Sequence, residues 1–175
     1  QITAIFGNCG GGLALVPTLT DFTFMESKKA KLFVNAPNAL AGNEISKCDT
    51  SAADFQSEKV GIVDAVAEEA EIFAEIRELI NMLPSNNEDT DSYIECADDL
   101  NRVCADLANC VGDTAIALAN IADDNYFFET KRHYAKEMVT ALIKLNGVTV
   151  GAVANRTEVY GEDGSVTDKF DAVLT

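Results

Sequence analysis

Apolar residues cluster along this chain in rhythms that name their own elements. "ITAIF" (2–6), "DFTFM" (21–25), "KLFV" (31–34) and "VGIVDAVA" (60–67) are short apolar runs rich in β-branched and aromatic residues, and each predicts a buried strand. Over 68–83 the rhythm changes. Ile72, Phe73, Ile76, Leu79, Ile80 and Leu83 form one stripe at helical spacing, with Glu68, Glu69 and Glu71 at the end where the helix dipole favours negative charge. Pro84, Ser85, Asn86 and Asn87 then stop the helix. Asp113 is placed to cap a second helix through Ile121. Residues 126–130 read as a strand, and 138–155 divide around Asn146-Gly147, the strongest short hairpin signal.

Weaker stretches fill the remainder. Residues 7–12 read as a glycine turn, 12–20 as a short helix, 35–42 as one helical turn and 43–57 as loop or short helix. Residues 96–110 read as weakly helical, and 161–164 as a polar loop before the last segment. "NNEDTDS" (86–92) is the best linker. Strands and helices alternate on both sides of it. The expectation is an α/β chain in which 1–84 end one unit, 85–135 connect, and 136–175 begin a second. Because the chain opens on Gln1 and runs straight into a strand, it reads as an internal fragment.

Composition adds charge to this picture. The net charge of −16 over 175 residues makes nucleic acid and anionic membranes poor partners, while a small anion can still meet a local site. No apolar run reaches the length that spans a bilayer. Cys9, Cys48, Cys96, Cys104 and Cys110 contain no CxxC pair, and the one histidine, His133, is remote from them in sequence. Reduced, mostly buried thiols in a cytoplasmic protein are expected, with no metal framework.

The densest chemistry lies in "FGNCGGGLALVP", where Gly7, Gly10, Gly11 and Gly12 surround Cys9. The spacing fits neither a phosphate loop nor a dinucleotide turn. A strand, a glycine turn and the start of a helix do follow one another. Backbone N–H groups there can converge on one oxygen, and glycine lets a carbonyl approach without meeting a Cβ. Such an oxyanion hole stabilises charge developing on a thioester carbonyl. A tight turn packing a helix on a strand accounts for the same residues. Other candidates read as structural. His133 is expected at the surface, Asp98-Asp99 and Asp123-Asp124 as solvated helix ends, and Arg156 in a surface ion pair.

"GNCGGGLALVPTLTDFTFM" resembles the segment G-x-C-x-G-G-x-x-x-x-P-x-L-x-D-F-x-F-M of biotin-dependent carboxyltransferases. "EIRELINMLPSNN", "IADDNYFFE" and "YAKEMVTALIKLNGVTVGAVANR" are similar to later blocks of that family, in the same order. The resemblance is greatest to subunits acting on acyl-CoA, including those of bacterial decarboxylases. It implies two crotonase-like halves, each a ββα superhelix. Acyl-CoA would sit in the first half of one subunit, and biotin, on a carrier, would enter from the second half of a partner in a homo-oligomer. The backbone amides of Gly11 and Gly12 would hold the thioester oxyanion, with Gly10 and Leu13 also touching substrate. A second amide pair, for the biotin ureido oxygen, would lie beyond Thr175. The chain departs from the family at "SKCDTSAAD", where Lys47 and Ser51-Ala52 replace the usual His and Ser-Gly, and at "TEVYGEDGSVTDKFDAVLT", which differs from the common "NQP" continuation. The alternatives are a crotonase-like acyl-CoA hydratase or isomerase, and a non-catalytic scaffold within a multi-subunit carboxylase.

Overall fold

The apolar runs become strands wherever a neighbour completes their hydrogen bonds. A computed structural model describes residues 1–89, 92–105, 107–110, 112–161 and 163–171. They divide into two units, Gln1–Ile76 with Lys131–Ala135, and Arg77–Thr130 with Lys136–Thr175.

In the first unit, β1 (Ile2–Ile5), β3 (Phe22–Glu26) and β5 (Ala65–Ala67) form a parallel sheet in the order β1–β3–β5. Central β3 is buried at Thr23, Phe24, Met25 and Glu26, as a strand covered on both faces requires. A second parallel pair joins β2 (Asn8–Gly10) to β4 (Lys31–Phe33). Ile5, Cys9, Ala14, Met25, Leu32 and Val63 belong to the core of this unit. The expected turn over 7–12 therefore contains a strand. Cys9 drops into the core and its neighbours pair with β4, a demand that a glycine-rich triplet does not announce. The strand expected over 60–67 is also shorter. Residues Gln56–Val60 coil into a π-helical turn after α2 (Ala53–Phe55), which Gly61 ends at φ +73°. Residues 35–42 form hydrogen-bonded turns in place of a helical turn.

α3 (Glu69–Met82) follows. Ile72, Leu79 and Met82 are buried, whereas Phe73 and Ile80 of the expected stripe face solvent, each about half exposed.

In the second unit, β6 (Phe127–Thr130), β7 (Met138–Leu145) and β8 (Val148–Asn155) make an antiparallel sheet with β7 central. Asn146 (φ 52°) and Gly147 (φ 77°) turn β7 into β8 with the two left-handed residues a tight hairpin needs. The Asp123 carboxylate accepts both turn amides, Asn146 N–H at 2.9 Å and Gly147 N–H at 2.6 Å. α4 (Thr114–Ile121) is capped by Asp113, which accepts the Ala115 N–H, and Ala115 and Leu118 pack with Val139, Ala141 and Ala154. β9 (Glu158–Tyr160) and β10 (Val166–Lys169) add an antiparallel pair that the sequence pattern had not marked. Within the region expected to be helical at 96–110, the described residues hold one 3-10 turn, Leu107–Asn109. The Asp99 carboxylate takes the Asn101 N–H, and Arg102 donates to the Asn120 and Ala122 carbonyls. The local bond at Asp99 competes with a helical backbone, while the Arg102 bonds tie the segment to the end of α4. The expected linker 86–92 includes residues 90 and 91, which lie outside the described residues.

Candidate functional site

The glycine cluster resolves into separate demands, residue by residue. Gly10 is the last residue of β2 and remains extended, at φ −128° and ψ 162°. A Cβ there would lie 2.5 Å from Phe33 Cε2, so the space is already taken by the ring. Gly11 lies at φ +64°, the left-handed region that disfavours any side chain. Gly12 has neither constraint, since a Cβ built on it meets nothing within 4 Å. Gly11 and Gly12 open the 3-10 turn Gly11–Leu15, whose first N–H groups have no acceptor within the helix. α1 (Val16–Leu19) continues it, with Pro17 in its first turn, where the missing donor costs nothing.

Beside this turn lies a cavity of about 290 Å³ whose walls include Ala4, Phe6, Cys9, Leu13, Val16 and Pro17. Leu13 is 60% exposed and presents apolar surface to it. Burial pushes the Cys9 thiol up from its ordinary value, which makes it a poorer nucleophile than an ordinary cysteine. Of the expected site residues, Leu13 joins the cavity wall, Gly10 is taken up beneath Phe33, and Gly11 and Gly12 form the turn between them. The glycine turn and the apolar space meet at Leu13, Gly11 and Gly12 themselves not lining the cavity, and no acid or base side chain lies among the residues of its wall.

The remaining candidates fall elsewhere. No disulfide links the described cysteines; Cys9 and Cys110 are buried, Cys96 and Cys104 are half-buried, and Cys48 is exposed, so most of the thiols are not buried as expected. Among the described residues, no group of three or more His, Cys, Asp or Glu side chains could hold a metal. His133 is half-buried. Arg156 departs from the expected surface pair. Its guanidinium is buried, 3.4 Å from Asp113 and 3.5 Å from Glu129. The reason is local: Asp113 is already buried as the α4 cap, and its charge needs a partner out of water. Asp123, expected to be solvated, is buried beneath the hairpin turn instead.

Lys144 was not singled out by the sequence. It is 4% exposed, and its ammonium donates to Thr149 Oγ1 at 2.9 Å and to the Ser92 carbonyl at 3.4 Å. Burial holds its pKa below the ordinary value, opposed by Asp123. A lysine in an alternating strand normally marks a solvated face, so no local signal distinguishes it.

The chain is a mixed α/β protein with the crotonase-like fold of the solved carboxyltransferases on which it superposes. The chain belongs to the carboxyl transferase domain family, whose sequence profile matches residues 1–172. It is 32% identical over 167 residues to the propionyl-CoA carboxylase beta chain of Roseobacter denitrificans, covering 89% of this chain and 33% of that one. It is 30% identical over 170 residues to the methylmalonyl-CoA decarboxylase subunit alpha of Propionigenium modestum, covering 91% and 33%. A transcarboxylase 12S structure with methylmalonyl-coenzyme A and methylmalonic acid bound superposes with a TM-score of 0.80 at 28% identity, over 89% of this chain and 32% of that one. A second 12S structure, described as a hexamer assembly, gives 0.79 at 30% identity over the same shares. The chain thus spans about a third of the length of the relatives it matches. No described helix is long and apolar enough to cross a membrane.

Proposed function

We propose that this chain is part of a cytoplasmic carboxyltransferase component that moves a carboxyl group between biotin and an acyl-CoA of the acetyl-, propionyl-, methylmalonyl- or glutaconyl-CoA class. The observation that carries the reading is Gly12, a glycine that neither backbone conformation nor any neighbour requires. An incoming thioester would supply the missing reason. The Gly11 and Gly12 amides donate to its carbonyl oxygen, more strongly as that oxygen gains charge when the α-carbon is deprotonated or decarboxylated. Leu13 and the cavity wall keep water from the acyl group, and Gly10 seats the turn. Biotin, on its carrier, would supply the carboxyl group and the proton acceptor, so no side chain of this chain need act as base. In this reading residues 1–84 belong to a first catalytic half, 85–135 connect, and 136–175 begin a second half. A biotin-carrier partner, other carboxylase or decarboxylase subunits and a homo-oligomer follow from it.

The test uses the full-length protein with its biotin partner and isotopically labelled carboxyl donor. Label should pass to acyl-CoA and should depend on biotin. Hydration or isomerisation of enoyl-CoA without biotin would replace the reading with the hydratase one. Failure to bind any acyl-CoA would replace it with a scaffold.

A further inference from the structure

Successive glycines form a turn readily but do not hold it, because each can leave its conformation at little steric cost. Donors aimed at a transition state need the opposite property. The orientation of the Gly11 and Gly12 peptide planes depends on ψ of Gly10 and on the torsions of Gly11. Something outside the three glycines has to fix Gly10.

The parallel pairing of β2 with β4 ends at the pair Gly10 and Phe33. The Phe33 ring lies on the Gly10 backbone, with Cε2 at 2.5 Å and Cζ at 2.7 Å from the position of a Gly10 Cβ. Its own backbone is held in β4 next to Leu32, which is 4% exposed in the core. The ring thus covers the last extended residue, and the chain turns left-handed at the next one.

We propose that Phe33 is a positioning residue for carboxyl transfer. Its ring clamps Gly10 and thereby sets the direction of the Gly11 and Gly12 N–H groups, without touching the substrate. This rests on reading those amides as the oxyanion donors. It adds that Gly10 is glycine for the sake of the ring, so positions 10 and 33 are energetically coupled.

The experiment uses the full-length enzyme with its biotin partner and measures kcat, KM for acyl-CoA and thermal unfolding for Phe33→Leu, Phe33→Tyr, Gly10→Ala, Gly10→Ala/Phe33→Leu and Gly12→Val. Phe33→Leu should lower kcat by about 10–10²-fold, the scale of a misplaced catalytic group. KM should stay within about threefold, because the donors act mainly in the transition state. Phe33→Tyr keeps the ring and should restore kcat. Gly10→Ala should lower kcat by pushing the ring aside, and the double variant should lose less than the two single losses combined. Phe33→Leu with wild-type kcat overturns the proposal, as does strict additivity of the two losses. Should Phe33→Leu not fold, Gly10→Ala decides alone: wild-type kcat overturns the proposal, and a fall at constant KM supports it. Normal turnover in Gly12→Val overturns the amide reading itself. An inactive Gly12→Val beside a fully active Phe33→Leu overturns the role of Phe33 alone.

Discussion

Gly12→Val and Gly11→Ala, made in the full-length protein, should fail in opposite ways. At Gly11 the backbone sits at φ +64°, and an alanine there pays left-handed strain of about 1–2 kcal/mol. Nothing lies within 4 Å of its Cβ, so no clash adds to that strain. Spread over a full-length protein, that strain appears as only a small thermal shift, since the shift per kcal/mol falls as the chain lengthens. At Gly12 the backbone carries no such strain and the Cβ position is open, so valine should leave thermal unfolding almost unchanged. Its methyl groups would instead occupy the space through which a thioester carbonyl reaches the amides. Removing one oxyanion donor typically costs ~10²–10³ in turnover, and blocking the approach should cost as much. The assay is acyl-CoA-dependent carboxyl transfer at saturating donor, read beside a melting curve. The reasoning is refuted if Gly12→Val melts well below wild type while its turnover per folded molecule is normal. The open space at residue 12 would then be an ordinary patch of surface.

Cys9→Ala should cost less than about tenfold in rate, since its buried, up-shifted thiol lacks the thiolate character of a nucleophile; a thousandfold loss with intact circular dichroism would reveal covalent chemistry. Arg156→Met leaves the buried Asp113 and Glu129 carboxylates without their guanidinium and should destabilise by about 3–5 kcal/mol, read from the urea midpoint; a change under about 1 kcal/mol would mean the pair is not buried in solution. The Lys144 pKa is lowered by folding, so at alkaline pH the unfolded chain binds more protons there and stability rises with pH. The penalty of the buried ammonium is full below the folded value and relieved towards the ordinary lysine value. Lys144→Met should flatten that rise, and identical alkaline stability curves for the two proteins would contradict it.

What was legible in the sequence was local. The Asn146-Gly147 hairpin, the Asp113 cap of α4, the helix over most of 68–83 and the apolar β3 carry their causes within a few residues. What was missed depends on distant partners. β2 is extended because β4, twenty-odd residues later, completes its hydrogen bonds and Cys9 has a core to enter. Phe73 and Ile80 fit the helical stripe but stay about half exposed, Phe73 stacked on the Phe6 ring at 5.3 Å, since periodicity states which face is apolar and not how wide a face is buried. Asp123 and Arg156 read as surface charges, and Lys144 drew no reading at all, because burial of a charge is decided by the group it meets, which a linear pattern does not contain. At the candidate site the motif located the turn, but the reason for each glycine emerged only from φ and from Phe33.

The carboxylate beneath the hairpin turn also bears on how the protein ages. Asn-Gly is the dipeptide most prone to spontaneous deamidation, in which the glycine nitrogen attacks the asparagine side-chain carbonyl and closes a succinimide ring. Here the nitrogen that would attack is buried with Gly147 and donates its proton to Asp123 at 2.6 Å. An anion at that distance opposes loss of the proton that cyclisation requires, and the paired turn holds the asparagine backbone in one conformation. The folded hairpin is therefore chemically shielded at the bond where the unfolded chain is most perishable. Deamidation at Asn146 should be faster in urea-unfolded than in folded protein, and equal rates by mass spectrometry would refute the shielding.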